Sequence, residues 1–147
     1  LDEDDYVVGF AASLDGYTLL TVSETGFGRK SSFDDYRVQS RGGKGLINYR
    51  TAQYGKVAMI APVKEDEDVI MISSDGIVIR THVDQISTFQ RPSKGVKVMR
   101  VNEGEKVATI SVVDRFEDDA NEDSTDSAAE NPAEENADES TASAEQE

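Results

Sequence analysis

Short apolar runs separated by turn residues recur along the first 116 positions of the chain. Residues 69–72 form one such run, residues 74–76 (Ser-Asp-Gly) follow it, and residues 77–79 form the next run. An Asp-Gly pair between two apolar runs is typical of a β-hairpin, because both central residues tolerate a positive φ. No apolar periodicity of 3.6 residues extends beyond about two helical turns. The pattern therefore predicts an all-β protein built from short strands.

The same pattern repeats with a period of 50 residues. Residues 19–63 align without a gap on residues 69–113, with 12 identities in 45 positions. In each unit a hairpin precedes a later strand, predicted at 46–50 and 96–100, and a last strand at 57–63 and 107–113. About four short strands in roughly 50 residues are typical of a propeller blade. We therefore predict β-pinwheel or propeller-like blades.

The repeat sets the predicted domain boundaries. Shifting the alignment by one more period places residues 6–13 on the last strand, so residues 1–16 are interpreted as the end of a preceding blade and a linker. Residues 17–66 and 67–116 are the two complete blades. The first residues contain no initiator Met and no signal peptide, and we expect them to continue from a longer protein.

After position 116 the composition changes. Residues 117–147 contain no Val, Ile, Leu, Met or aromatic residue, and they hold 13 of the 30 acidic residues. Such a segment cannot bury enough apolar surface to offset its ordering entropy, so we predict a disordered acidic tail. Without it the chain has 15 basic and 17 acidic residues, a net charge of −2 against −15 for the whole.

Composition also excludes several kinds of chemistry. With no Cys, the chain has no disulfide, thiolate metal site or cysteine nucleophile, and this fits a reducing cytosol. The lone His82 has no second His nearby, so we predict an exposed or edge histidine and no metal site. The acidic run 65–68 is predicted to be a solvated turn between blades, and the tyrosines are predicted to serve packing. No nucleophile signature occurs, so no catalytic residue is assigned.

The stretch 36–45 carries the most specific chemistry. Gly42, Gly43 and Gly45 surround Lys44, and Arg41 precedes them. Glycine allows close approach of a ligand to the backbone, and successive N–H groups can form an anion-binding concavity. This favours a phosphate ligand, with a glycine-rich turn that only keeps an edge soluble as the alternative. A P-loop is excluded because the residue after the lysine is Gly and no helix follows.

The second unit repeats part of this loop, with Arg91, Lys94 and Gly95 at the matching positions. Cations on the same side of successive units would form a curved positive stripe. Phosphate contacts along such a stripe would both bind and bend DNA. The predicted phosphate-binding residues of the first unit are Gln39, Arg41, Gly42, Gly43, Lys44 and Gly45, with Arg37 and Arg50 extending the field.

Residues 39–45 (Gln-Ser-Arg-Gly-Gly-Lys-Gly) resemble the seven-residue gyrase A box, written Q-R/K-R-G-G-K-G in the C-terminal DNA-wrapping domain of the gyrase A protein. Only Ser40 departs from it, replacing a basic residue. Residues 25–30 and 36–38 before the box also resemble a late repeat of that domain, and residues 68–113 resemble its final repeat, where the box is degenerate. The resemblance covers about residues 6–113.

The resemblance implies a β-pinwheel that wraps DNA without catalysis, within a type II topoisomerase (DNA gyrase) that introduces negative supercoils at the expense of ATP. It implies as partners double-stranded DNA, the remainder of the gyrase A protein and the gyrase B protein in an A2B2 heterotetramer, with no membrane and a cytoplasmic, nucleoid-associated location. No cofactor is expected in this chain, since ATP and magnesium are bound elsewhere in the holoenzyme. The alternatives are the equivalent domain of topoisomerase IV, whose boxes are degenerate, and a propeller-type protein-interaction module.

The acidic tail leaves two roles open. It could serve solubility, or it could act as an autoinhibitory mimic of DNA that competes for the basic face. A chain of 31 residues has a root-mean-square reach on the order of 30 Å, enough to visit that face. Salt screens the attraction beyond about 8 Å, so competition would need close contact.

Overall fold

The computed structural model describes residue 3 and residues 5–115. The predicted tail at 117–147 lies outside the described residues. The strands are β1 (Thr18–Ser23), β2 (Phe27–Ser31), β3 (Val57–Val63), β4 (Glu67–Ser73), β5 (Val78–His82), β6 (Val96–Lys97) and β7 (Val107–Asp114). Helical structure in this part of the chain is confined to 3-10 turns at Phe33–Asp35 and Val83–Gln85 and to α1 (Thr51–Tyr54). The all-β prediction is confirmed.

The strands form two antiparallel sheets. One has the order β3-β1-β2-β6 and the other the order β5-β4-β7. The central strand β1 is buried along almost its whole length, on both faces. A strand covered on both faces carries a continuous apolar run instead of an alternating one. That explains the runs at 19–22 and 69–72, which occupy the equivalent central strands β1 and β4.

The two hairpins are built by the same side chain at equivalent positions. The Ser23 hydroxyl accepts from the Phe27 amide at 3.1 Å, and the Ser73 hydroxyl accepts from the Ile77 amide at 3.1 Å. The register of the central strand shifts at the same point in both sheets, just before each serine. The repeated serine of the sequence thus makes the same hydrogen bond in both hairpins.

One apolar core lies between the two sheets. Strands β3 and β7 are neighbours, and the central strands β1 and β4 contribute the most deeply buried side chains. The buried cluster consists of Leu20, Val22, Val63, Val69, Met71, Val83, Ile86, Met99, Val107 and Ile110. Because its members come from both 50-residue units, the units are not separate folding modules.

The sheets do not coincide with the sequence repeats. Strand β6 belongs to the second unit, but it pairs with β2 of the first, placing Lys97 opposite Phe27 and Val96 opposite Gly28. Only residues 96–97 of the strand predicted at 96–100 form one. The equivalent segment at 46–50 is not a strand. A strand there would need a β2 from a preceding unit, which the described residues do not contain.

The segment predicted to end a preceding blade also differs. Residues 6–13 form no strand, although a Cβ on Gly9 would lie 3.2 Å from the Ile60 side chain, next to β3. Several of its large side chains are solvent-exposed, among them Tyr6 and Phe10. A last strand needs a central strand to pair with, as β3 pairs with β1, and no central strand of a preceding unit is described.

Candidate nucleic-acid interface

The glycine-rich stretch of the first unit forms an exposed loop at residues 37–45. Every residue in this loop is exposed, and Val38 keeps 99% of its surface accessible. Gly42 and Gly45 both have φ of 80°, a left-handed conformation that side chains with a Cβ rarely adopt. A Cβ on Gly42 would meet nothing within 4 Å. The backbone here is therefore open to a ligand of the size of a phosphate group.

The predicted phosphate-binding cations of the first loop have no partner within the described part of the chain. Arg37, Arg41 and Lys44 in the loop, and Arg50 five residues after it, are exposed and make no side-chain hydrogen bond or ion pair there. Gln39 and Gly43 are exposed in the same loop. Among the described residues, the lysines and arginines with a carboxylate within 4.0 Å are Lys30, Arg80, Lys106 and Arg115, all outside both loops. The described carboxylates therefore leave the positive charge of the first loop free.

The matching loop of the second unit lies against β2 of the first unit. Before the loop, the Phe89 amide donates to the Lys30 carbonyl at 2.9 Å, and after it Val96 pairs with Gly28. Residues 90–95 therefore cross β2 at Arg29, between these two attachments. Gly95 has φ of 81°, and a Cβ there would lie 2.3 Å from the Gly28 carbonyl oxygen. Only glycine fits at this approach.

The two predicted cations of the second loop have different environments. Arg91 is half-buried, and its guanidinium donates to the carbonyls of Asp35 at 2.7 Å and Ile47 at 3.1 Å while lying over the Tyr36 ring. It therefore joins the second loop to both ends of the first. Lys94 is exposed, with its ammonium 3.8 Å from the centre of the Phe27 ring. An ammonium over an aromatic ring keeps its charge available to an anion.

The structure brings the two loops together. The Tyr49 hydroxyl donates to the Lys94 carbonyl at 3.1 Å, a second bridge beside that of Arg91. Burial raises the pKa of Tyr49 above its usual value, which keeps this hydroxyl protonated and able to donate. The prediction of cations on one side of successive units thus has a structural counterpart in two adjoining loops. Their role as phosphate ligands stays a prediction.

A buried arginine at the base of the second loop was not predicted. Arg29 is fully buried, and Lys30 beside it is nearly so. The Lys30 ammonium donates to both carboxylate oxygens of Glu65, at 2.6 and 2.7 Å. Sequence reasoning missed this burial because the covering segment, residues 87–97, lies about 60 positions later in the chain.

A second charged cluster corrects the prediction for the acidic run 65–68. Asp68 is not in a solvated turn: it lies in β4 with 0% of its surface exposed. It accepts from Arg80 at 2.6 Å, from His82 Nδ1 at 2.6 Å and from Arg115 at 3.2 Å. The hydrogen bond from His82, together with those from the two arginines, lowers the pKa of Asp68 to about 2. His82 is exposed at the sheet edge, as predicted, but its partner was not foreseen.

The arrangement defines a class: an all-β repeat domain of blade-like sheets that presents two adjoining basic loops, the first of them glycine-rich. The sequence profile of the family described as DNA gyrase C-terminal domain, beta-propeller, matches residues 17–64 and 67–114. The chain therefore belongs to this family. The longest helix that the structure describes, α1 with four residues, is far too short to span a membrane.

Relatives and solved structures agree with this assignment. The chain is 37% identical over 108 residues to the DNA gyrase A protein of Lawsonia intracellularis, covering 73% of this chain and 13% of that protein. It is 36% identical over 128 residues to the DNA gyrase A protein of Staphylococcus aureus strain MRSA252, covering 84% and 14%. The chain thus spans about an eighth of the length of these relatives.

Two solved structures have a similar fold. A DNA gyrase A C-terminal domain matches with a TM-score of 0.63 at 21% identity, covering 69% of this chain and 35% of that one. A topoisomerase IV C-terminal domain matches with a TM-score of 0.69 at 16% identity, covering 78% and 36%. At these identities the likeness concerns the fold alone, so the choice between the two enzymes depends on the sequence relatives and the family profile, which favour gyrase.

Proposed function

We propose that the chain binds duplex DNA through its phosphate backbone and bends it along the two adjoining loops. In the first loop, Arg41 and Lys44 hold phosphates beside the open backbone of Gly42 and Gly43, and in the second loop Lys94 continues the path. All of these contacts are to phosphates and none is to a base edge, so we expect binding to be independent of the DNA sequence.

The observation that carries this proposal is the group of free cations on the first loop. A body with a net charge near zero can bind a polyanion when free cations are concentrated on one surface. Here Arg37, Arg41 and Lys44 lie together on one exposed loop with no carboxylate partner within the described residues. A protein-interaction module would not need this concentration of free cations on a glycine-rich loop.

The domain would act inside a larger enzyme. Its relatives in Lawsonia intracellularis and Staphylococcus aureus are DNA gyrase A proteins, and in that setting the chain would guide DNA for ATP-dependent negative supercoiling by a type II topoisomerase. The cleavage chemistry would come from the remainder of the gyrase A protein, and ATP and magnesium would be bound outside this chain, by the gyrase B protein. The assembly with gyrase B and a cytoplasmic location at the nucleoid belong to the same proposal.

The test is the double substitution Arg41→Ala with Lys44→Ala, measured by fluorescence anisotropy on several duplexes. We expect weaker binding by about the same factor on every sequence. The slope of log affinity against log salt should fall by roughly 0.9 for each lost phosphate contact, because fewer counterions are released.

Lys106→Gln is the matched control, since Lys106 is also exposed but lies outside both loops, 3.6 Å from Glu24. It should leave the affinity and the salt slope nearly unchanged. A double variant that binds as the wild type does would contradict the proposal, and so would a loss confined to one DNA sequence, which would indicate base readout.

A further inference from the structure

The first unit contains a buried polar network with an arginine at its centre. Arg29 Nε donates to the Ser93 carbonyl at 3.2 Å, and Arg29 Nη2 donates to the carbonyl and to Oδ1 of Asn48, the latter at 2.8 Å. These partners are uncharged. A hydrogen bond from an ionised donor is roughly twice as strong as one between neutral groups, so this guanidinium holds both acceptors firmly.

Asn48 is itself held by two further side chains. The Tyr36 hydroxyl donates to Asn48 Oδ1 at 2.5 Å, and Asn48 Nδ2 donates to Thr21 Oγ1 at 3.0 Å. Asn48 follows the first glycine-rich loop, and Ser93 lies inside the second. Arg29 therefore joins the segment just after the first loop to the middle of the second loop.

No such network occurs among the described residues of the second unit. At the positions 50 residues later, the four polar members Thr21, Arg29, Tyr36 and Asn48 are replaced by Met71, Ile79, Ile86 and Val98. Met71 and Ile86 are buried core residues, and Ile79 and Val98 pack against the same core. These four positions are polar in the first unit and apolar in the second, whereas Ser31, which also contacts the Tyr36 hydroxyl, matches the polar Thr81. The joint difference at four positions that touch one another indicates that the four polar side chains serve one purpose.

The hairpins of the two units also differ in whether a loop packs on them. The loop 90–95 packs on strand β2 of the first unit through Gly95, and Gly28 leaves space for Val98, which follows β6, since a Cβ on Gly28 would lie 2.9 Å from the Val98 side chain. At the equivalent place β5 carries the exposed Val78, and no loop crosses β5 within the described residues. The polar network thus occurs beside β2, on which a loop packs, and is missing beside β5, on which no loop packs within the described residues.

We infer that Arg29 is a positioning residue for DNA binding: it fixes the second loop against β2 and beside the first loop, and so sets where Lys94 stands. This inference rests on the proposed DNA-binding function. Arg29 is buried and does not contact DNA; it acts through the Ser93 carbonyl and through Asn48. A buried cation without a carboxylate partner fits a role in fixing geometry, because burying the charge costs free energy that an apolar side chain at this position would not.

The variant that tests this copies the second unit into the first: Thr21→Met, Arg29→Ile, Tyr36→Ile and Asn48→Val. These four side chains already form a packed core at the equivalent positions, which favours folding. Limited trypsin digestion of the full 147-residue chain gives a readout that does not involve DNA. In the wild type we expect cleavage after Lys44, in the free loop, and protection after Lys94, where Gly95 packs on Gly28. In the variant, cleavage after Lys94 should approach the rate after Lys44.

DNA binding then tests positioning by coupling. The fourfold variant should bind about three- to tenfold more weakly, the loss of one phosphate contact, with a salt slope smaller by roughly 0.9. Adding Lys94→Ala to it should cost nothing more, because that lysine is already displaced. Adding Arg41→Ala with Lys44→Ala should multiply the loss, since these two exposed side chains make no contact with the network.

Arg29→Lys separates position from charge and serves if the fourfold variant does not fold. It keeps the charge but cannot reach the acceptors on Ser93 and Asn48 together, so it should match the fourfold variant in both readouts. The inference would be overturned if Arg29→Lys bound DNA as the wild type does. It would also be overturned if adding Lys94→Ala to the fourfold variant caused the full further loss of DNA affinity. Wild-type protein that shows no salt-dependent DNA binding would instead overturn the proposed function, and the trypsin result would still stand.

Discussion

The replacement of two equivalent glycines by alanine should give very different losses of stability. Gly45 and Gly95 occupy the same place in the two loops and have nearly the same φ, 80° and 81°. Both alanine variants therefore carry the cost of a left-handed Cβ, about 1–2 kcal/mol. A Cβ on Gly45 meets nothing within 4 Å, so Gly45→Ala should cost no more than this.

At Gly95 a second cost is added. The new Cβ would lie 2.3 Å from the Gly28 carbonyl oxygen and 2.9 Å from the Arg29 Cβ, well inside van der Waals contact. The loop must move away from β2, which weakens the pairing of Val96 with Gly28 and the hydrogen bond from Arg29 to Ser93. With about 1 kcal/mol for a neutral hydrogen bond and about 1.5–3 for one to a charged group, we expect a total loss of about 4 kcal/mol.

Urea unfolding monitored by circular dichroism measures both variants. The midpoint should fall further for Gly95→Ala than for Gly45→Ala while the m-value stays unchanged, since the same surface is exposed on unfolding. By thermal unfolding, each kcal/mol corresponds to roughly 4 °C for a domain of this size. Equal losses of stability for the two variants would refute the reasoning. Backbone strain at positive φ would then explain the whole loss, and the contact between the loop and β2 would contribute nothing.

Two further predictions concern charge. Because the folded-state pKa of Asp68 is lowered to about 2, its ionised form stabilises the fold above its ordinary pKa, and this stability should be lost as pH falls from about 4 towards 2. Thermal unfolding against pH should show this loss in the wild type but not in Asp68→Asn, and parallel curves would contradict it. Truncation after Phe116 should tighten DNA binding at low salt, with a gain that shrinks as salt rises. A tail with Asn and Gln for Asp and Glu should behave as the truncation does, and unchanged affinity at every salt concentration would favour the solubility role.

The hairpins and the core strands follow from local sequence. The turns at Gly26 and Gly76 could be read from a glycine between apolar runs, and the serine that closes each turn is one of the repeat identities. The first loop could be found because its three glycines and its basic residues are neighbours in sequence. These are interactions within about ten residues, where spacing fixes geometry.

The pairing of β6 from the second unit with β2 of the first could not be predicted from local sequence. Nothing in residues 96–97 indicates that they pair with residues 27–28 instead of a strand of their own unit. For the same reason Arg29 and Lys30, which look like exposed cations in a hairpin strand, are buried. Asp68 looks like part of a solvated acidic run until β4 places it beside Arg80, His82 and Arg115.

The sequence by itself determined the all-β class, the 50-residue repeat and the exposed basic loop, because each depends on residues close together in the chain or on their regular recurrence. The tertiary structure alone decided which cations stay free, which residues the second loop rests on, and that Arg29 joins the two loops. The physical reason is that burial and charge pairing depend on segments that meet from about 20 to more than 60 positions apart. Local sequence does not show these long-range contacts. A cation such as Arg91 therefore has the same sequence context whether its guanidinium is free for DNA or bound to the carbonyls of Ile47 and Asp35.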